Sequence, residues 1–215
     1  MELAEGNKGR YEIALCRCAL AALKIARPFY QQSTVEVARQ LLGKYLVRKH
    51  SDGKTVGRIV ETEAYVGPKD LACHASRGCT ARTEIMFGPA GYAYVYFIYG
   101  VYYCLNIVTE SVDHPSAVLI RALEPVEGVA LMKKRRRTEE QHNLASGPGK
   151  LCQAFAIDRS LNRADICGNT LYVEDRGEPA PKILAKPRVG VDYAGQWKNK
   201  PWRFLIRGSE FVSRP

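Results

Sequence analysis

The stretch YAYVYFIYGVYYCLN, Tyr92 to Asn106, decides how the chain is read. It holds six of the twelve tyrosines. Aromatic and β-branched residues alternate through it, the pattern of a half-buried strand. Tyr99-Gly100 interrupts the run, and a second strand follows from Tyr102 to Val108. The reading is a β-hairpin with Tyr99 at or near its tip. Alternation puts Tyr92, Tyr94, Tyr96 and Ile98 on one face, with Val95, Phe97 and Tyr99 on the other, unless the turn re-aims Tyr99. Taken alone, such a hairpin is ordinary aromatic packing. Its surroundings point further.

Upstream, TVGRIVETEAYVGP reads as a strand returning from a hairpin turn at Asp52-Gly53 after KYLVRKH. Ile59, Glu61, Glu63 and Tyr65 then share one face, and Val60, Thr62 and Ala64 the other. Two carboxylates on one face of an apolar strand call for partners, because an unpaired buried charge is costly. Downstream, the strand SAVLIRAL carries Arg121, whose natural partners are Glu61 and Glu63. Between them, residues 67–91 form a loop long enough to be functional, with at most a short helix. It contains Cys73, His74 and Cys79. A zinc site is one alternative, but the spacing matches no common cluster, so no metal is expected.

Working outward, Ser33 or Thr34 caps a helix that stops at Gly43. EPVEGVALMKKRRRT reads as a helix with a cationic end, Lys133 to Arg137, matched to the helix dipole. In ASGPGKLCQAFAI, Pro148 opens a helix, and its start at Gly147, with Lys150, could hold a phosphate. The Walker pattern is absent. TLYVED and WRFLIRG are the last strands, joined by the Pro-rich EPAPKILAKP. Residues 1–26 read as a helical extension of unassigned role. Arg17 inside its apolar run argues against a signal peptide, and the run is too short to span a bilayer.

The chain has 215 residues, of which 46% are apolar and 25% charged, so one domain with a real core is the economical reading of residues 27–215. A formal charge of +10 favours a polyanionic partner, nucleic acid before an anionic membrane surface. Seven cysteines, an odd number in a chain this large, read as reduced thiols in a cytosolic protein.

In order along residues 28–213, GRIVETEAYVGP, His74, MFGPAG, YAYVYFIYG, CLN, LIRALEP and SGPGKLCQA together resemble the alkyladenine (3-methyladenine) DNA glycosylase family. The resemblance implies a mixed α+β domain, a curved antiparallel sheet flanked by helices with a protruding hairpin. It implies an enzyme that flips alkylated or deaminated purines (3-methyladenine, 7-methylguanine, hypoxanthine, ethenoadenine) out of duplex DNA and hydrolyses the N-glycosidic bond, leaving an abasic site without lyase activity. Position by position, Glu63 would activate water beside Arg121. Tyr65, His74 and Tyr96 would contact the flipped base, Tyr99 would fill the gap in the stack, and Asn106 would crowd the exocyclic amine of guanine. Double-stranded DNA with damaged purines is the expected partner. No cofactor, no membrane and a monomer are expected, in the cytoplasm of a bacterium with its nucleoid, or in a nucleus, and not secreted.

The residue chemistry agrees. Flipping costs a few kcal/mol, a wedge offsets lost stacking, and aromatic faces return about 1–3 kcal/mol per stacked base. An electron-poor alkylated purine suits tyrosine faces, and a neighbouring guanidinium favours the charged form of a carboxylate base. Two other classes compete. A non-catalytic nucleic-acid-binding module could use the hairpin as a stacking platform, but binding alone does not need Glu63 with Arg121. A glycosidase acting on sugars also uses carboxylates, and the positive charge counts against it.

Overall fold

The computed structural model describes residues 22–214. Nine strands form one open, antiparallel sheet: β1 (Leu23–Lys24), β2 (Tyr45–His50), β3 (Gly53–Tyr65), β4 (Ala93–Ile98), β5 (Tyr102–Thr109), β6 (Ser116–Glu127), β7 (Leu171–Asp175), β8 (Ile183–Lys186) and β9 (Arg203–Ile206). Among the described residues four short α-helices accompany it: α1 (Arg27–Tyr30), α2 (Thr34–Gln40), α3 (Val129–Arg136) and α4 (Pro148–Ala154). The main path runs β1-β7-β2-β3-β6-β5-β4, with β9 joined to β3 and β8 to β9. This is the expected mixed α+β domain with a large sheet.

The 13-residue β3 is the trunk. One edge pairs with β6 along nearly its whole length. The other edge is divided, taking β2 up to Arg58 and β9 from Glu61 to Glu63. Irregularities in the β3–β6 register fall between Ile59 and Glu61 and between Glu61 and Thr62. Such bulges break simple alternation and re-aim side chains. Ile59 therefore joins Val60 in the main core instead of sharing the face of Glu61 and Glu63, as alternation predicts. Beyond the bulge alternation resumes: Ala64 stays in that core, and Thr62 Oγ1 donates to Ala38 O at 2.7 Å.

The two sheet faces are covered differently. One packs α2, α3 and α4 around Leu41, Ile59, Leu105, Ile120, Leu151 and Phe155. The other carries Tyr94, Val108 and Ala117 against Cys73, Ala75 and Met86 of the 67–91 loop, with Tyr65 and Tyr96 at its margin. That loop is ordered by two single 3₁₀ turns, His74–Arg77 and Glu84–Phe87.

Four sequence expectations are corrected. Most of the expected N-terminal helical extension lies outside the described residues, but within its end Leu23–Lys24 is a strand paired with β7. His50 pairs with Gly53, so the β2–β3 turn is Ser51-Asp52, one residue earlier than read. EPVE belongs to β6, and the helix begins only at Val129. Pro125 is accommodated opposite Gly57, where the register shifts, and Gly128 makes the switch. Its φ is +73°, and a Cβ there would lie 2.3 Å from Lys54 O. Finally, the Pro-rich connection contains β8, an edge strand paired with β9.

Candidate active site

Residues 102–105 of β5 pair with β4 alone, because β6 joins β5 only from Asn106 onward. The β4–β5 hairpin therefore projects beyond the sheet. Val101 N donates to Ile98 O, closing a turn whose central residues, Tyr99 and Gly100, have φ of +54° and +68°. Positive φ at both centres matches the right-handed twist of the strands. It also re-aims Tyr99, which is 81% exposed yet borders the cleft.

This cleft, about 550 Å³, opens on the face covered by the 67–91 loop. Tyr65, His74, Tyr96, Tyr99, Asn106 and Arg121 all line it. Residues as far apart in sequence as Tyr65 and Arg121 thus converge on one cleft, and Glu63 is not among those that line it.

Glu61 and Glu63 are both fully buried and both pair with Arg121, yet their surroundings differ. Arg121 Nε, Arg203 Nη1 and Ser213 Oγ each donate to Glu61 Oε1 at 3.0 Å, and Ser213 N donates to Oε2 at 2.6 Å. That carboxylate is saturated and ties the trunk to the segment after β9. Glu63 lies just behind the cleft wall. Val189 N donates to its Oε1 at 2.8 Å, Tyr65 OH donates to Oε2 at 2.8 Å, and Arg121 Nη1 is 3.3 Å from Oε1. All three partners line the cleft. A carboxylate has about four lone-pair sites; Glu61 takes four donors and Glu63 three, so Glu63 is the one with a spare acceptor site.

The titrating groups are tuned by the same packing. Burial and then the Glu63 charge push the Tyr65 phenol well above its ordinary value, which keeps it a donor. Burial alone would lower the Arg121 guanidinium, but Glu63 and Glu61 outweigh it and the net shift is upward. His74 is lowered to about 4 by burial, then by the charges of Arg82 and Arg77, so its ring is neutral near pH 7. His74 Nδ1 and Tyr94 OH share a 2.9 Å hydrogen bond, and the His74 and Tyr96 rings meet edge to face at 4.7 Å. Asn106 is buried, and its Nδ2 donates to Tyr94 O at 3.2 Å. Cys104, also on the wall, is a thiol that burial pushes up to about 11.

Lys150 and Gly147 sit apart. Pro148 and Gly149 reach the cleft rim, but the Lys150 ammonium turns to the Asn143 side chain and Gly147 is off the wall. Among the described residues no group of three or more His, Cys, Asp and Glu is arranged to hold a metal ion. Cys73 and Cys79 are free thiols.

Sequence reasoning missed the segment from Arg188 to Tyr193, which supplies Val189 and much of one cleft wall. It also missed the buried Asp70–Arg188 ion pair. Their residues carry no periodicity, and only the lone arginine among apolar neighbours in RVGV gave a signal.

A family model described as methylpurine-DNA glycosylase matches residues 28–210. A protein of Methanocella arvoryzae, provisionally named a 3-methyladenine DNA glycosylase, is 56% identical over 192 residues, covering 88% of this chain and 96% of its own length. Proteins given the same provisional name in Legionella pneumophila (strain Paris) and Anaeromyxobacter sp. (strain Fw109-5) are 50% and 52% identical. Each match covers 89% of this chain, and 98% and 93% of the relative, respectively.

Proposed function

The chain belongs to the methylpurine-DNA glycosylase family, and from that premise we propose that it removes alkylated and deaminated purines from duplex DNA by hydrolysis at a flipped nucleotide. The family makes it a DNA glycosylase. The residue roles, the range of bases and the absence of a lyase step are our reading. The observation that carries it is the buried Glu63 carboxylate, held by Tyr65, Val189 and Arg121 immediately behind an aromatic cleft whose mouth bears Tyr99.

In this reading Tyr99 enters the helical stack as the damaged nucleotide leaves it, and the base is received by Tyr65, His74 and Tyr96. A neutral His74 suits this role, since it does not repel a cationic purine. Glu63 takes a proton from water at its remaining acceptor site. The water oxygen bonds to the sugar C1′ as the C1′–N bond breaks, and the base departs with the bonding electrons. An N-alkylated purine is cationic while attached and leaves as the neutral base, whereas a neutral purine such as hypoxanthine leaves as its anion and takes up the proton that Glu63 received from water. Arg121 and Val189 N–H fix the carboxylate's orientation. The abasic sugar is the final product, because a lyase step requires an amine nucleophile and the proposed site contains none. Borohydride trapping should therefore yield no protein–DNA adduct.

The test is release of free base from alkylated duplex DNA under single-turnover conditions, with Glu63→Gln beside the wild type. The variant should bind damaged duplex as tightly but excise about 10²–10⁴-fold more slowly, the range for a positioned base. Excision at the wild-type rate would remove Glu63 from the mechanism.

A further inference from the structure

Behind the cleft lies an ion pair that the proposed chemistry does not use. Asp70 and Arg188 are both buried with fully covered side chains. Arg188 Nη1 donates to Asp70 Oδ2 at 2.5 Å, and Nη2 to Oδ1 at 2.8 Å, a two-pronged pair. The remaining acceptor sites of Asp70 are taken by Val66 N and Ala72 N, both at 3.1 Å. Arg188 Nη1 also donates to Ala64 O at 2.9 Å. A buried pair of this kind contributes little net stability over packed apolar residues. Among the described residues Arg188 Nε has no hydrogen-bond partner, and with so small a net gain stability alone does not account for the pair.

Its position accounts for it better. Asp70 belongs to the loop that presents His74, and Arg188 is joined covalently to Val189, whose N–H caps Glu63. The Arg188 guanidinium carbon lies 4.8 Å from the centre of the Tyr65 ring. Arg188 is buried and does not line the cleft, whereas Tyr65 does. The face of Tyr65 that it covers is therefore the one turned away from the incoming base. We propose that Asp70 and Arg188 are positioning residues that fix Val189 on Glu63 and set the electronic character of the Tyr65 platform, biasing it toward neutral damaged purines. The proposal rests on Tyr65 and Glu63 having the roles given above.

The physical basis is the ring quadrupole. A cation on one face of an aromatic ring draws on its electron density, leaving the opposite face a poorer partner for a second cation. With a bare Tyr65, a cationic purine such as 7-methylguanine would gain from stacking. With Arg188 behind the ring, that gain is reduced, and a neutral base such as hypoxanthine is handicapped less. The Val189–Glu63 contact serves both substrates alike, so its loss should scale both rates by one factor. The charge behind the ring should change only their ratio.

The test uses Asp70→Asn/Arg188→Met, in which no buried charge is left unpaired. Single-turnover excision is measured on duplexes carrying 7-methylguanine and hypoxanthine, after confirming a cooperative thermal transition. Both rates should fall together, while the 7-methylguanine to hypoxanthine ratio rises about three- to tenfold. Arg188→Lys, which keeps a cation near the ring, should hold the ratio near that of wild type. An unchanged ratio in the double variant overturns the proposal, whatever the common fall. Should that variant not fold, Asp70→Asn/Arg188→Gln retains a neutral hydrogen bond across the pair and is judged by the same ratio. Glu63→Gln run in parallel separates the two levels. Its failure to excise alongside an unchanged ratio removes this inference alone, whereas full excision by Glu63→Gln removes the reading beneath it.

Discussion

His74 shows how packing sets chemistry one side chain at a time. Its folded value of about 4 lies below the roughly 6.5 of an unfolded chain. Between those values the unfolded state binds more protons, so stability rises with pH across that window. The contribution is fully present above about 6.5 and lost as pH falls through about 4. The denaturant midpoint of wild type should therefore drop more between pH 6.5 and 4.5 than that of His74→Gln; parallel curves would show that the ring is not held neutral by the fold. Asn106 makes the corresponding case for selectivity. Its Nδ2 is anchored on Tyr94 O, which fixes its bulk at the cleft wall, a steric bar of the kind that excludes one substrate among several. Asn106→Ser should raise excision of guanine relative to hypoxanthine by about tenfold, the scale of a small steric difference in a pocket. An equal loss on all bases in a base-release assay would make Asn106 structural.

The hairpin shows strain placed where function is proposed. Tyr99 adopts φ +54°, a conformation that costs a non-glycine residue roughly 1–2 kcal/mol, and its side chain is largely exposed. No packing offsets that cost, which makes the residue a candidate for work outside the folded protein. Tyr99→Gly should leave the thermal midpoint unchanged or raised, yet slow base excision at least about tenfold as the stacking partner is lost. Gly100→Ala should do the reverse: φ is +68° with open space around it, so it should lower stability by about 1 kcal/mol and leave the Tyr99 side chain in place. A Tyr99→Gly enzyme that is both destabilised and fully active would contradict this division. The hairpin was legible because alternation and a Tyr-Gly break are local signals. So were the trunk strand with Glu61 and Glu63, and the Pro148 helix start. Ile59 was misplaced because a bulge is set by pairing with β6, which no strand announces alone. The assignment of EPVE to the helix failed because β6 extends Pro125 to a register shift opposite Gly57. The Arg188–Val189 wall went unread for a similar reason. Its placement is fixed by Asp70 and Glu63, partners more than 100 residues away.

At the scale of the whole molecule, the net charge of +10 and the buried site act on different steps. Among the described residues, much of the basic run at the end of α3 has structural work. Lys133 pairs with Glu139, Arg135 with Asp52, and Arg136 donates to Leu144 O and the Gln153 side chain. The remaining positive surface must draw the duplex by a long-range, screened attraction, and neutralised phosphates release counterions. Glu63 and Arg121, by contrast, are buried and directly paired, a setting that salt screens far less. Affinity for damaged duplex should therefore fall steeply with salt, by about 10³-fold or more between 50 and 200 mM if six or more phosphates are contacted. The single-turnover excision rate at saturating enzyme should change less than about twofold over the same range. Measuring both on one hypoxanthine duplex decides the matter. A saturated rate that falls in step with affinity would mean that the charges assembling the complex also act in the bond-breaking step, and that the proposed catalytic pair is open to solvent when the base is in place.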